Sequence, residues 1–193
     1  KDGTLKGANI TQTKNFAKSI DIPIIASGGI SNMNDVKALY NQKDFGISGV
    51  IIGKAIYEKK ISHFVPFKVN SLKAISAGRK QQDFKLAKEE SLLSKQFESS
   101  DYLVIFDELG TAPNDSVEFS KHLVQGIESG KRRLHFVVGG AFGLGEATRA
   151  KADKILSLSR LTFSHQIALI VALEQIYRGF TIYKGLPYHN ERK

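Results

Sequence analysis

Short apolar runs alternate with helical stretches through the first sixty residues, the rhythm of a parallel sheet with crossover helices. Residues 22–26 form a β-branched run, followed by Ser27-Gly28-Gly29-Ile30 and a helix predicted over 33–41. A second run, 49–52, leads through Gly53-Lys54 into a helix ending near Lys60. Ahead of both, Asn9 or Thr11 is a candidate cap for a helix reaching about Ser19. The rhythm changes at 62–66, where Pro66 introduces an extended stretch over 67–75. The chain is therefore divided into residues 1–61 and residues 62–193.

In the second part, a loop at 76–80 precedes a polar, helix-prone stretch to 97, with Phe84, Leu86, Leu92, Leu93 and Phe97 on its apolar side. A strand is predicted over 102–106, then a loop containing Gly110 and Pro113, then an amphipathic helix over 116–128. A strand over 134–138 runs into Gly139-Gly140-Ala141-Phe142-Gly143 and a helix ending near Lys154. A short strand over 155–158, a long helix over 164–180 and a polar tail complete the chain. Strands that end in such loops, each followed by a helix, predict a doubly wound α/β domain whose ligands bind beyond the carboxyl ends of the strands. Three loops meet there: 106–110, 139–143 and 158–164. The middle one is neither a G-x-G-x-x-G fingerprint nor a P-loop, so its spacing alone reads as a turn.

Composition narrows the chemistry. A length of 193 residues allows one domain with a sizeable core and an incomplete partner, not two full enzymes. The absence of cysteine excludes disulfides, thiolate metal sites and thiol catalysis, and no metal is expected. No apolar run approaches the roughly 20 residues that span a bilayer, and no signal-peptide pattern is present, so a soluble, cytoplasmic protein is expected. The net charge of +9 is spread: nine basic against five acidic side chains in residues 1–61, nineteen against fourteen afterwards. Such a balance suits a polyanionic partner without naming one, and equally suits a solvated basic surface.

Two resemblances sharpen the picture. Asp2-Gly3-Thr4-Leu5-Lys6-Gly7, Ile24-Ile25-Ala26-Ser27-Gly28-Gly29-Ile30 and Gly49-Val50-Ile51-Ile52-Gly53-Lys54-Ala55-Ile56-Tyr57 resemble the last part of the (βα)8-barrel isomerases of histidine biosynthesis. The resemblance implies that Gly28, Gly29 and Gly53 stand where backbone N–H groups hold a substrate phosphate, although the same glycines serve as plain turn formers. The isomerases' catalytic aspartates belong to earlier strands than any in this sequence, so isomerase activity is not expected, and an incomplete barrel leaves sheet edges open.

The second resemblance rests on Tyr102-Leu103-Val104-Ile105-Phe106-Asp107-Glu108, Ser116-Val117-Glu118-Phe119, Val137-Val138-Gly139-Gly140-Ala141-Phe142-Gly143, Ile155-Leu156-Ser157-Leu158-Ser159-Arg160-Leu161-Thr162-Phe163-Ser164-His165-Gln166, Leu173-Glu174-Gln175-Ile176-Tyr177-Arg178-Gly179-Phe180 and Pro187-Tyr188-His189. In this order they resemble the 23S rRNA pseudouridine N3-methyltransferases of the SPOUT class. The resemblance implies a trefoil-knotted α/β fold, an exception to the avoidance of knots, with S-adenosyl-L-methionine as cofactor, 23S rRNA in the ribosome as partner and a homodimer as working unit. It assigns the cofactor to Phe106, Gly139, Leu158, Ser159, Arg160, Leu161, Thr162 and Phe163. Phe106, Leu161 and Phe163 are expected to wall the adenine, though a core phenylalanine is the plain alternative for Phe106. Tyr188 and His189 are expected at the acceptor base, to hold it or to handle its proton. Arg178 and His165 are candidates for phosphate or partner contacts, or for helix packing and capping.

Two departures stand out. Leu169 occupies a position where the family usually has arginine, and the family's first strand and helix are not matched. Residues 50–52 are expected to replace that strand in the C-terminal sheet. A catalytically silent chimera that keeps the fold and binds only RNA or S-adenosylmethionine is the rival reading.

Overall fold

A computed structural model describes residues 9–27, 29–30, 33–51, 54–72, 82–140 and 142–190. Gly28, Gly53 and Ile52 lie outside them, so the phosphate role considered for the first two is not addressed by the geometry. The chain divides into two compact units, Lys1–His63 with Phe67–Ser71, and Phe64–Pro66 with Leu72–Lys193.

The first unit runs α1 (Ile10–Lys18), β1 (Ile24–Ser27), α2 (Met33–Tyr40), a 3-10 turn (Lys43–Phe45), β2 (Ile47–Ile51) and α3 (Lys54–Ile61). Of the two cap candidates, Asn9 is used: its side chain accepts from Gln12 N at 3.2 Å. β1 and β2 are parallel, with Ile25 beside Gly49 and Ala26 beside Val50. Because side chains alternate along a strand, Ala26 enters a core with Ala17, Leu39 and Ile47, while Ile25 remains 61% exposed on the other face.

Of residues 50–52, expected in the C-terminal sheet, the first two lie in β2 and Ile52 is outside the described residues. Among the described residues β2 pairs with β1 and with no later strand. Only α2 and the 3-10 turn stand between the two strands among the described residues, so their ladder closes a small loop. The extended stretch expected after Pro66 is irregular over 66–72, held by Val69 N donating to Glu58 Oε1 at 3.0 Å.

The second unit runs α4 (Gln82–Ser94), β3 (Tyr102–Thr111), α5 (Ser116–Ile127), β4 (Leu134–Val138), α6 (Glu146–Ala150), β5 (Lys154–Leu156) and α7 (His165–Tyr183). Its parallel sheet has the order β4-β3-β5. Leu103, Val104, Ile105 and Phe106 are all buried, as a central parallel strand covered on both faces requires. Leu103 and Ile105 pack with Val137, Leu144, Leu93 and Phe97. Phe106 instead stacks between Phe119 and Phe136, with centroids 6.2 and 6.0 Å away. α5 lies close against α7: Ser120 Oγ donates to Gly179 O at 2.8 Å, and a Cβ on Gly179 would stand 3.0 Å from Leu123 Cδ2.

β3 runs five residues past its expected end. The sequence there suggested a loop because of Gly110 and Pro113. Gly110 instead lets the strand press on β5, where a Cβ would fall 2.6 Å from the carbonyl carbon of Leu156. Ser157 N donates to Thr111 O at 3.0 Å just beyond that crossing.

Candidate cofactor and acceptor sites

The register places Phe106 beside Val138 on one side and Leu156 on the other. The chain leaving β4 and β5 therefore opens beside Phe106, where β3 itself bulges before pairing again at Thr111, so the predicted loops at Gly139 and 157–163 flank β3, whereas the loop predicted over 106–110 is strand. The ring of Phe106 is 6% exposed and belongs to the core, so what it offers there is backbone. Leu158, Ser159 and Phe163 are partly buried, whereas Arg160, Leu161 and Thr162 are exposed, Leu161 by 73%. The three apolar side chains expected to wall the adenine are thus not assembled: one faces the core and one faces solvent.

Local hydrogen bonds shape each loop. After β4, Gly143 N donates to Gly140 O at 3.1 Å, and Gly143 has a φ of +75. A Cβ on Gly139 would lie 2.9 Å from the Gly143 carbonyl carbon and oxygen. Glycine at 139 is therefore required first by the loop's own fold, ahead of any bound molecule. After β5, the buried Ser157 Oγ donates to Ser159 O at 2.8 Å and Leu161 N to Ser159 Oγ at 2.9 Å. Ser164 then caps α7, its oxygen accepting from Ile167 N at 3.4 Å.

Two supports of these loops escape a reading of the sequence. Asp107, directly after Phe106, accepts from Arg149 Nε at 2.9 Å and from its Nη2 at 2.8 Å, tying the end of β3 to α6. Glu90 reaches from α4 to accept from Thr148 N at 2.8 Å, supplying the cap that Gly145 cannot. Gly145 makes room for it, since a Cβ there would sit 2.3 Å from Glu90 Oε1. Glu90 looks in sequence like any acidic position on a polar helix, and no local signal marks it.

The C-terminal tail turns back on α7 through a glycine-based helix stop. Gly185, at φ +64, donates to Ile182 O at 3.0 Å and Leu186 N donates to Thr181 O at 2.8 Å. This returns Tyr188 and His189 to the helix. Tyr188 donates its hydroxyl to Glu174 Oε1 at 3.1 Å, lies edge-on to Tyr177 at 4.7 Å, and carries the Arg178 guanidinium over its ring at 4.8 Å. Arg178 also pairs with Glu174 and reaches His189 Nδ1 at 3.4 Å. A guanidinium only donates, so Nδ1 accepts and the ring proton of a neutral His189 sits on Nε2. Glu174 and Arg178 are thus brought to the two predicted acceptor residues, and Glu174 is one that sequence reasoning missed. His165 is exposed at the first residue of α7, and Leu169 is half-buried within it. No cluster of metal-ligating side chains occurs among the described residues.

Both parts of the chain are similar to known proteins. A family model described as "Predicted SPOUT methyltransferase" matches residues 50–189, and one described as "Histidine biosynthesis protein" matches residues 1–62, so residues 50–62 are common to both. The ribosomal RNA large subunit methyltransferase H of Bdellovibrio bacteriovorus is 47% identical over 135 residues, covering 70% of this chain and 86% of that protein. Proteins of the same name from Parabacteroides distasonis and Pseudothermotoga lettingae are 36% identical over 141 residues and 38% over 133, covering 70% and 69% of this chain and 86% of each relative. Two loops beyond β4 and β5, beside a bulge of β3 where backbone groups leave the ladder, fit a small nucleoside donor such as S-adenosylmethionine. The chain belongs to the SPOUT methyltransferase family, knotted α/β proteins whose methyl donor is S-adenosylmethionine, and carries a histidine-biosynthesis barrel fragment at its N-terminal end.

Proposed function

We propose that the chain methylates N3 of a pseudouridine in 23S rRNA of the bacterial ribosome, acting as a cytoplasmic homodimer. The observation that carries this reading is that the loops after β4 and β5 flank the bulge of β3 at the carboxyl ends of the β4-β3-β5 sheet. The substrate class comes from relatives named ribosomal RNA large subunit methyltransferase H, one of them 47% identical. S-adenosylmethionine, when bound, supplies an activated methyl group for in-line displacement, so the protein chiefly has to align the acceptor.

Phe106 through its backbone, Gly139, and Leu158, Ser159, Arg160, Leu161, Thr162 and Phe163 are the residues assigned to the cofactor. Tyr188 and His189 are assigned to the base. With Nδ1 accepting from Arg178, His189 presents Nε2–H, a donor suited to a pyrimidine carbonyl rather than to the N3 proton. Tyr188 offers a ring to the base while its hydroxyl is held by Glu174.

Two measurements test the reading. Calorimetric titration with S-adenosylmethionine should show saturable binding, and tritiated methyl groups should pass to ribosomes lacking the modification. Binding without transfer would reduce the protein to a silent SPOUT domain.

A further inference from the structure

We propose that the N-terminal βα unit carries a contact site for an unpaired stretch of RNA, with Lys14, Lys18 and Lys43 meeting phosphates and Tyr40 stacking on a base. Lys14 and Lys18 stand one turn apart on α1, and both ammonium groups lie over the ring of Phe45, 4.0 and 4.4 Å from its centroid. Lys43 lies 5.0 Å over the ring of Tyr40, which is itself 64% exposed. Both rings and Lys43 come from the six residues 40–45, so α1 and the adjoining 3-10 turn share one basic, aromatic surface.

None of these three lysines has a carboxylate within ion-pair distance among the described residues. Asp21 and Asp44 line the same shallow hollow as Lys18, Lys43 and Phe45. Lys14, Lys18 and Lys43 against Asp21 and Asp44 leave this surface positive by one charge.

The rings explain how the charges are held. A ring face attracts an ammonium group through its quadrupole and orients it without cancelling its charge, whereas an ion pair would cancel it. The charge stays available to a polyanion. Separate cations on two elements, beside an exposed tyrosine, suit a chain of phosphates with a splayed base, the chemistry by which single-stranded RNA is bound. The inference does not rest on methyl transfer, because the residues belong to the unit that resembles the isomerases.

The test uses the whole chain and a labelled twelve-nucleotide oligouridine, titrated by fluorescence anisotropy at several salt concentrations. A Lys14→Gln/Lys18→Gln/Lys43→Gln variant should bind more weakly, with a log–log salt slope shallower by about 2, at about 0.7 per lost phosphate contact. Tyr40→Ala should weaken binding about tenfold without changing the slope, as loss of one stacked base does. The same three lysines changed to arginine should retain the parent slope, and S-adenosylmethionine affinity should be equal in all variants. A triple glutamine variant with the parent's affinity and slope would overturn the site. Equal binding of a duplex of the same length, unaffected by Tyr40→Ala, would overturn the assignment to unpaired RNA.

Discussion

At the scale of single residues, the tail proposed for the acceptor base and the loop proposed for the cofactor make opposite demands. His189 sits on Arg178 and Tyr188 on Glu174, away from the strand ends in sequence, so His189→Ala should leave S-adenosylmethionine affinity unchanged and lower methyl transfer by about a hundredfold or more. A calorimetric titration beside a single-turnover assay separates the two effects, and a fall in cofactor affinity alone would remove the tail from the acceptor site. Gly139→Val acts differently. Its branched side chain would meet the Gly143 backbone at under 3 Å, so the loop must move, and cofactor affinity should fall while the far-ultraviolet dichroism stays near that of the parent. Unchanged affinity would mean that this loop does not form the site. Gly139 was legible in the sequence as a special position, but its reason was not: the neighbour its missing side chain makes room for is four residues along the chain and visible only once the loop is folded.

At the scale of elements, α6 is five residues long and depends on a carboxylate from another helix. Glu90→Ala should therefore cost about 1 kcal/mol, the usual worth of a lost cap. Chemical denaturation should register this as a lower midpoint at unchanged slope, whereas Glu90→Gln, which keeps an acceptor oxygen, should recover most of the loss. An equal loss in both variants would point to charge rather than capping. The helices and the three strands of the C-terminal unit were readable from periodicity, since α5, β4 and α7 lie within a few residues of expectation. The length of β3 was not. Gly110 reads as a turn when only neighbours in sequence are considered, and becomes a strand residue because β5 approaches its backbone.

At the scale of the whole molecule, two units with separate sheets and separate cores should unfold separately. Scanning calorimetry should show two transitions, the lower belonging to the βα unit, whose buried cluster has only Ala17, Ala26, Leu39 and Ile47 at its centre. One transition would show that the units fold as one. Acid sensitivity should concentrate in the second unit. The Arg133 guanidinium hydrogen-bonded to Asp101, with help from Glu98 N and His135, holds that carboxyl well below the usual carboxylate range. Burial raises Asp153, but the Lys131 ammonium and Leu103 N outweigh it and lower the carboxyl. Groups depressed on folding stabilise above their unfolded pKa and lose that contribution as pH falls, so the upper transition should drop steeply below about pH 4. Asp101→Asn should flatten that dependence; a slope equal to the parent's would assign the acid sensitivity elsewhere.

The sequence by itself determined the family and the order of strands and helices. Each follows from local periodicity or from motifs contiguous in the chain. Tertiary structure decided that β2 pairs with β1, because ladder partners depend on loop closure and core fit rather than on local pattern. It also decided that Phe106 serves the core, that Arg178 serves the tail and that Glu90 serves α6. Those roles belong to contacts between residues distant in sequence, where charge and hydropathy patterns say what a side chain is and only packing says what it touches.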